Sequence, residues 1–327
     1  MRIGIVGLGA VGGYLAAKLS SAGQPVVALC RGATLAALRR DGLRLDEAGV
    51  QRQVALEASD DARALGEQEL VIVAVKAQAL AAAALDLQPL LGVRTVVLTA
   101  MNGVPWWLLS ARAGAPDEAP LASVDPGGRI ARALPLDRVL GAVVHLSASL
   151  DAPGRVRHGF GRRLIVGEPR GGASQRVEQV VTLLRAAGLE AEASDDVRTA
   201  IWFKLWGNMT TNPISALTQA SADRIVADPR LRRLSLAAMA EAAAIGERIG
   251  CPIAQSGEAR LEVTKQLGAF RTSMLQDLQA GRRLELDALV GAVSEIGARV
   301  GVPTPWTDAL LGLASLLDRS RAEAAQS

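Results

Sequence analysis

The amino-acid sequence predicts an α/β fold: a doubly wound parallel sheet in the N-terminal part, followed by an all-α domain. Strand and helix patterns alternate through the first half of the chain, as they do in parallel sheets with crossover helices. Nearly everything after about residue 195 is helical in pattern. Because 327 residues are typical of two domains, we place the domains at 1–194 and 195–327.

Short apolar runs predict the strands of the sheet. "RIGIV" at 2–6 is the first strand, and a helix follows it as far as Ala22. After the second strand, "GATLAALRRDGLRL" predicts a helix and a short strand, and the alanine-rich residues 78–91 predict a crossover helix. Continuous apolar runs are typical of strands that are covered on both faces. The remaining strands are predicted at 25–30, 69–77, 95–103 and 138–150.

The pattern then changes. Residues 154–169 combine turn residues with alternating apolar positions, which predicts an antiparallel hairpin. Residues 175–187 predict one more amphipathic helix, and from about Asp195 the chain is helical. We expect Pro213 to end or kink the helix in which it lies, because proline cannot donate the intrahelical hydrogen bond.

Composition and charge argue against several classes of protein. Hydrophobic residues make up 50% of the chain, enough for a large core without disulfides or metal. The net charge of +3 comes from scattered residues without a basic run, so we expect no nucleic-acid partner. No apolar run could span a bilayer and no signal peptide is evident, so we expect a cytoplasmic protein without a membrane partner. The 2 cysteines and 2 histidines have no metal-ligand spacing, and we expect no metal.

The segment "GLGAVG" matches the pattern G-x-G-x-x-G after a strand and at the start of a helix. Gly7 permits the tight turn, Gly9 lets the backbone approach a pyrophosphate, and Gly12 lets the helix pack closely on the strand. In this context the motif predicts a Rossmann-type dinucleotide-binding domain, the alternative being an ordinary glycine-rich turn. The residues expected to bind the cofactor are Gly7, Leu8, Gly9, Ala10, Val11 and Gly12.

The end of the second strand indicates which dinucleotide is bound. NAD-binding domains place an acid there to hold the ribose hydroxyls, but this chain has Cys30 and Arg31, and the next acid is Asp41. A guanidinium can bind a 2′-phosphate that a carboxylate would repel. The sequence therefore favours NADP(H). A solvated loop arginine would explain Arg31 but not the missing acid.

Two further polar residues follow predicted strands. Lys76 ends the run "VIVAVK", and Asn102 with Gly103 follows the next strand. Open α/β sheets bind ligands at the carboxyl ends of their strands, so we expect Lys76 and Asn102 to bind the cofactor. Either could instead be an exposed polar strand terminus.

The stretch "IWFKLWGNMTTNPISALT" at 201–218 carries a polar stripe on an otherwise apolar helix. Lys204, Asn208 and Asn212 recur every fourth residue and so fall on one face. An anionic ligand with a carbonyl group would explain all three, since the ammonium can supply a proton and the amides can bind oxygens. The alternative is a hydrogen-bonded seam between domains.

These segments resemble the ketopantoate reductase family, the NADPH-dependent 2-dehydropantoate 2-reductases. The likeness rests on "GLGAVGG", "VKA", "NG" and "KLWGNMTTNPISALT", and it continues through "TSMLQDLQAGRRLELDALVG" and "GVPTP" over nearly the whole chain. It implies a Rossmann domain joined to a helical domain. It also implies reduction of 2-dehydropantoate to pantoate, within pantothenate biosynthesis.

The resemblance further implies roles for single residues. Lys204 would be the proton donor, and Glu285 would contact that lysine or the cofactor ribose. Asn102 would contact both cofactor and substrate. From the residues alone, Glu285 could equally be a solvated charge on a helix. The residues implied to bind substrate are Asn102, Asn208, Asn212 and Ser273.

Some positions depart from the family pattern. Trp106 and Trp107 follow Asn102 closely, where we expect smaller or polar residues, and they could bound the active site or pack the following helix. Residues 115–137 look like an insertion, and Ala222 stands where some members carry an asparagine. Two alternatives therefore stay open: a reductase of a different 2-oxo acid, and an NADP(H)-binding sensor without turnover. A homodimer is also possible.

Overall fold

The computed structural model describes residues 1–111 and 119–324, which form two compact units. The domain boundary expected near residue 194 stays a prediction. Contacts between residues group the chain into two units that are each built from several segments. Two upstream segments, 103–111 and 119–127, pack with the C-terminal helices rather than with the sheet. The first four residues of the expected insertion lie outside the described residues. The first unit comprises 1–102 and 128–198, and the second 103–111, 119–127 and 199–324.

The first unit contains a ten-stranded sheet. Its strands are β1 (Ile3–Val6), β2 (Val26–Leu29), β3 (Leu43–Glu47), β4 (Val50–Val54), β5 (Glu57–Ser59), β6 (Gln68–Val73), β7 (Leu91–Thr99), β8 (Val139–Ala152), β9 (Arg155–Gly167) and β10 (Glu190–Ser194). Their spatial order is β4-β3-β9-β8-β7-β6-β1-β2-β5, and β10 pairs with β9. Only β3–β4 and β8–β9 are antiparallel among the described pairs. The predicted α/β fold is confirmed, with a mixed and mostly parallel sheet.

The helices of the first unit follow its strands as crossover connections. The crossover helix predicted at 78–91 is shorter than expected, since a 3₁₀ turn (Gln88–Leu90) replaces its last part. Pro89 lies in that turn and lacks the donor that an α-helix requires there. These helices are α1 (Ala10–Ser21), α2 (Gly32–Asp41), α3 (Ala62–Leu65), α4 (Leu80–Asp86), α5 (Arg129–Ala133) and α6 (Gln175–Ala186).

The hairpin predicted within 154–169 is wrong in its position. The observed hairpin joins β8 to β9, and its turn lies at Gly154, which has a φ of +72°. Gly161 has the same positive φ but lies inside β9, near the shift in register between His145 and Ser147. A glycine inside a strand often marks such an irregularity rather than a turn.

The C-terminal region is helical, and no strand occurs in its described residues. Pro213 does not end its helix, which continues to Thr218. The indole of Trp206 donates to the Met239 carbonyl over 2.7 Å and so ties α7 to α9. Over the described residues no helix combines the length and hydropathy needed to cross a bilayer. The helices are α7 (Val197–Thr218), α8 (Ala222–Ala227), α9 (Pro229–Ile249), α10 (Gly257–Gln266), α11 (Ser273–Gln279), α12 (Ala292–Val300) and α13 (Pro305–Ala324).

Candidate active site

The glycine loop of the first unit joins β1 to α1. Gly7 has a φ of +89°, which side chains rarely adopt, and a Cβ there would lie 2.6 Å from Val75 Cγ1. A Cβ at Gly12 would lie 2.0 Å from the Gly7 carbonyl oxygen, whereas one at Gly9 would meet no atom within 4 Å. Gly7 and Gly12 therefore allow the close packing of the turn, and Gly9 leaves open space beside it.

The loop borders a cavity of about 500 Å³. Gly7, Leu8 and Gly9 line one part of it, and Cys30 with Arg31 lines another, at the end of β2. A cavity of this size is typical of sites for organic ligands, and the open backbone at Gly9 fits a pyrophosphate. The sequence also predicted cofactor contacts from three residues that begin α1 and do not line this cavity, namely Ala10, Val11 and Gly12.

The same cavity has two acidic residues that sequence reasoning missed, Asp60 and Asp86. Asp60 lines it together with Thr34, because β5 pairs with β2 and brings Ser59 opposite Leu29. The strand β5 has only 3 residues, too short to be recognised from its sequence pattern. Asp60 gives the cavity a carboxylate beside the arginine at the end of β2.

Lys76 and Asn102 follow adjacent parallel strands, β6 and β7. Lys76 precedes the 3₁₀ turn Ala77–Ala79, and Asn102 lies three residues after Thr99, where β7 ends. Both are half-buried at the carboxyl ends of the strands, where the sequence placed them. Their roles as cofactor or substrate ligands stay predictions.

In the second unit, α7 carries the polar stripe. Lys204 and Asn208 are half-buried, and Asn212 is buried. The pKa of Lys204 is lowered to about 8 in all: burial lowers it most, the charge of Arg260 also lowers it, and the charge of Glu285 opposes both. Since an ammonium with a pKa near neutrality exchanges its proton readily, Lys204 fits the role of a general acid.

Glu285 lies in a loop, whereas the residue pattern alone allowed it to lie on a helix. It immediately precedes Leu286 and the π-helical turn Asp287–Gly291. The Val104 amide donates to the Ala288 carbonyl over 2.8 Å, which fixes this turn against the segment that begins at Gly103. Turns of this rare kind occur often at functional sites. The loop holds the carboxylate of Glu285 close enough to raise the pKa of Lys204.

Ser273 is the first residue of α11, and its neighbour Thr272 caps that helix. The hydroxyl groups of Thr272 and Ser215 form a hydrogen bond of 2.5 Å between α11 and α7. Ser215 lies about one turn after Asn212 on α7, so this bond holds the start of α11 beside the end of the polar stripe. Ala222 is fully buried at the start of α8 and serves packing.

Trp106 and Trp107 belong to the second unit and are buried, with 7% and 1% of their surface exposed. The Nε1 atom of Trp107 has no hydrogen-bond partner in the described structure. Burial of this degree agrees with a packing role. The influence of these residues on substrate choice stays a prediction.

Arg260 on α10 is a residue that sequence reasoning missed. It is half-buried, its guanidinium carbon lies 5.3 Å from the centre of the Phe203 ring, and its charge lowers the pKa of Lys204. No signal in the sequence could have identified it, because α7 and α10 meet only in the folded chain. In the described parts of the chain, no cluster of three or more His, Cys, Asp or Glu residues could hold a metal.

Comparison with known proteins agrees with this arrangement. Residues 3–171 match the family "Ketopantoate reductase PanE/ApbA", and residues 196–318 match its C-terminal part. The chain is 45% identical over 314 residues to a 2-dehydropantoate 2-reductase of Mesorhizobium japonicum, covering 96% of each chain. A crystal structure of a ketopantoate reductase candidate from Ralstonia solanacearum MolK2 has 57% identity, a TM-score of 0.95 and 98% coverage of both chains. A PanE/ApbA family ketopantoate reductase from Ralstonia eutropha JMP134 has 28% identity and a TM-score of 0.85, over 98% of this chain and 100% of the other.

Proposed function

We propose, from the premise that this chain belongs to the ketopantoate reductase family, that it reduces 2-dehydropantoate to pantoate with NADPH. The family places the protein among nicotinamide-dependent oxidoreductases. The single observation that carries the residue assignment is Lys204, a half-buried ammonium with a pKa lowered to about 8 on the same helical stripe as two carboxamides. A protein that only sensed the cofactor would have little need of such a proton donor.

The glycine loop and the end of β2 would hold the cofactor. The backbone at Gly7 and Gly9 and the N-terminus of α1 suit the pyrophosphate, and Arg31 suits a 2′-phosphate. When bound, the nicotinamide supplies the hydride that reduces the ketone carbon. The choice of NADPH over NADH rests on Arg31, while Asp60 in the same cavity is the residue that would favour NADH.

Lys204 acts on the ketone oxygen. As the carbon is reduced, negative charge develops on this oxygen, and the Nζ ammonium stabilises the charge and donates its proton. Asn208, Asn212 and Ser273 supply amide and hydroxyl groups that orient the substrate. The charge of Glu285 favours the protonated form of Lys204, against the effect of burial.

The proposal is tested by NADPH oxidation with a series of 2-oxo acids that differ in side-chain size. We expect 2-dehydropantoate to have the highest kcat/KM by a wide margin. A different best substrate would show that this scaffold reduces another 2-oxo acid. Binding of NADPH without oxidation by any acid would instead support a sensor.

The pH dependence of turnover follows from the pKa of Lys204. Its protonated form is the donor, so kcat/KM for reduction should be constant at low pH and fall as the pH rises through about 8. In the reverse direction neutral Lys204 is the base, and kcat/KM should rise through the same pH. Because Glu285 raises this pKa, Glu285→Gln should move both transitions to lower pH. Steady-state rates between pH of about 6 and about 10 measure this, and unchanged transitions in the variant would contradict it.

The variant Arg31→Ala should weaken NADPH binding and leave NADH binding nearly unchanged. The guanidinium contacts only the 2′-phosphate in this proposal, and a charged hydrogen bond contributes about 1.5–3 kcal/mol. Fluorescence titration of both cofactors measures the effect. Asp60→Asn is the matched comparison, since removal of this carboxylate should weaken NADH and not NADPH. Equal affinity of the unmodified protein for both cofactors would be evidence against the NADPH preference.

Two further expectations from the sequence stay predictions, a homodimer and a cytoplasmic location. Sedimentation of the purified protein would determine whether it is a dimer, and fractionation of its host cell would determine the location.

A further inference from the structure

We propose that Arg260 binds the carboxylate of the 2-oxo acid substrate, in a positively charged site formed where α10 packs against α7. This inference rests on the proposed function and names the residue that recognises the anionic group of the substrate.

The Nε–Nη2 edge of the Arg260 guanidinium faces the backbone of α7 at Gly207. A Cβ built at Gly207 would lie 2.9 Å from Nε and 3.3 Å from Cζ of Arg260. The ring of Phe203, one turn earlier on α7, lies 5.3 Å from the guanidinium carbon. Glycine is unfavourable inside a helix relative to alanine. The space that Gly207 leaves for Arg260 is a physical reason for glycine at this position.

Arg260 is not neutralised by its surroundings in the described structure. Its Nε is buried and has no hydrogen-bond partner there, and burial lowers its pKa. It also lies near a second cation, since Phe203 and Gly207, which it contacts, lie on either side of Lys204 on α7, and its charge lowers the pKa of Lys204. It is the fourth residue of α10, close to the helix N-terminus, which disfavours positive charge. The ring of Phe203 compensates only in part.

A bound carboxylate would offset the unfavourable charge of this site. It would accept hydrogen bonds from the planar guanidinium and neutralise one of the two adjacent charges. In a 2-oxo acid the ketone carbon is bonded directly to the carboxylate carbon. The protein groups that bind these two parts of the substrate must therefore be neighbours, as Arg260 and Lys204 are. Arg260 recognises the acid, and Lys204 acts on the ketone.

The test compares an acid with its neutral amide. Calorimetry would measure the binding of pantoate and of pantoamide to the NADP⁺-loaded protein and to its Arg260→Met variant. We expect the variant to bind pantoate about 10- to 100-fold more weakly, the loss typical of a charged hydrogen bond. Binding of pantoamide should change little. Methionine keeps much of the length of the apolar side-chain stem, and the melting temperature checks that the variant is folded.

Two more variants test whether Arg260 recognises the carboxylate of the ligand or acts only through the net charge of the protein or through packing. Arg319→Met removes the same charge from an exposed position on α13 and should leave pantoate binding unchanged. Gly207→Ala retains Arg260 but displaces its guanidinium, so it should weaken pantoate binding in the unmodified background and have no further effect beside Arg260→Met. Because alanine favours helix formation, this substitution should not lower the stability of α7.

The outcomes distinguish this inference from the proposed function. Equal binding of pantoate by Arg260→Met and the unmodified protein would overturn the role of Arg260 and leave the proposed function intact. If Arg260→Met weakened the binding of pantoate and of pantoamide equally, Arg260 would have only a packing role. If the unmodified protein prefers another 2-oxo acid, the proposed substrate fails, and the same comparison with the corresponding 2-hydroxy acid and its amide decides the role of Arg260. If no acid binds at all, both proposals fail.

Discussion

Lys204→Ala should lower kcat for ketone reduction by about 10²–10⁴-fold, the usual contribution of a general acid. The alanine variant has no group on this part of α7 that could donate a proton to the developing alkoxide. NADPH binding should change little, because the glycine loop and Arg31 belong to the first compact unit and Lys204 to the second. Steady-state kinetics and fluorescence titration of NADPH measure the two properties separately.

The matched control is Lys265→Ala, which removes an exposed lysine from the last turn of α10 and should leave kcat unchanged. The pH profile adds a second criterion. The transition near pH 8 that we assign to Lys204 should be absent from the residual activity of Lys204→Ala. A variant with nearly normal kcat, or with the same transition, would remove Lys204 from the mechanism.

The first part of the fold could be predicted because its local signals agree with its tertiary environment. The strands β1, β2 and β6 and the second half of β7 are largely buried apolar runs, and the glycine loop has its required context between β1 and α1. Three shorter strands, β4, β5 and β10, were not predicted. Most positions of β4 and β10 are exposed, and β5 has only 3 residues. Pairing with a neighbouring strand determines their conformation more than their own sequence does.

The candidate site likewise contains residues that could be predicted from the sequence and residues that could not. The stripe of Lys204, Asn208 and Asn212 was recognisable because helical periodicity places residues four apart on one face. The position of Glu285 in a loop and the contact of Arg260 with α7 depend on packing between segments far apart in the chain. A lone arginine on a mostly polar helix such as α10 carries no local sign of burial. At Pro213 a clear local signal gave the wrong helix end. Proline usually ends a helix, but α7 continues through Pro213 to Thr218.

Two alanine substitutions in the glycine loop should both weaken NADPH binding but differ in their effect on stability. At Gly9 the new Cβ meets no atom within 4 Å, so Gly9→Ala should fold with an unchanged melting temperature. The methyl group would then stand where the backbone must approach the pyrophosphate. We expect a loss of about 1–3 kcal/mol in NADPH binding, similar to the cost of other steric insertions. Titration of the folded variant with NADPH measures it.

At Gly12 the same methyl group would lie 2.0 Å from the Gly7 carbonyl oxygen, a distance that neither backbone segment can keep. Since α1 would have to move away from β1, Gly12→Ala should lower the free energy of unfolding by about 1–3 kcal/mol or more. Its loss of NADPH binding should follow from the displaced loop and accompany a lower melting temperature. If Gly9→Ala were destabilised and Gly12→Ala were not, the roles assigned to the two glycines would be wrong. Loss of binding at a normal melting temperature for Gly9→Ala alone would establish that the open space at residue 9 is the site of the cofactor phosphates.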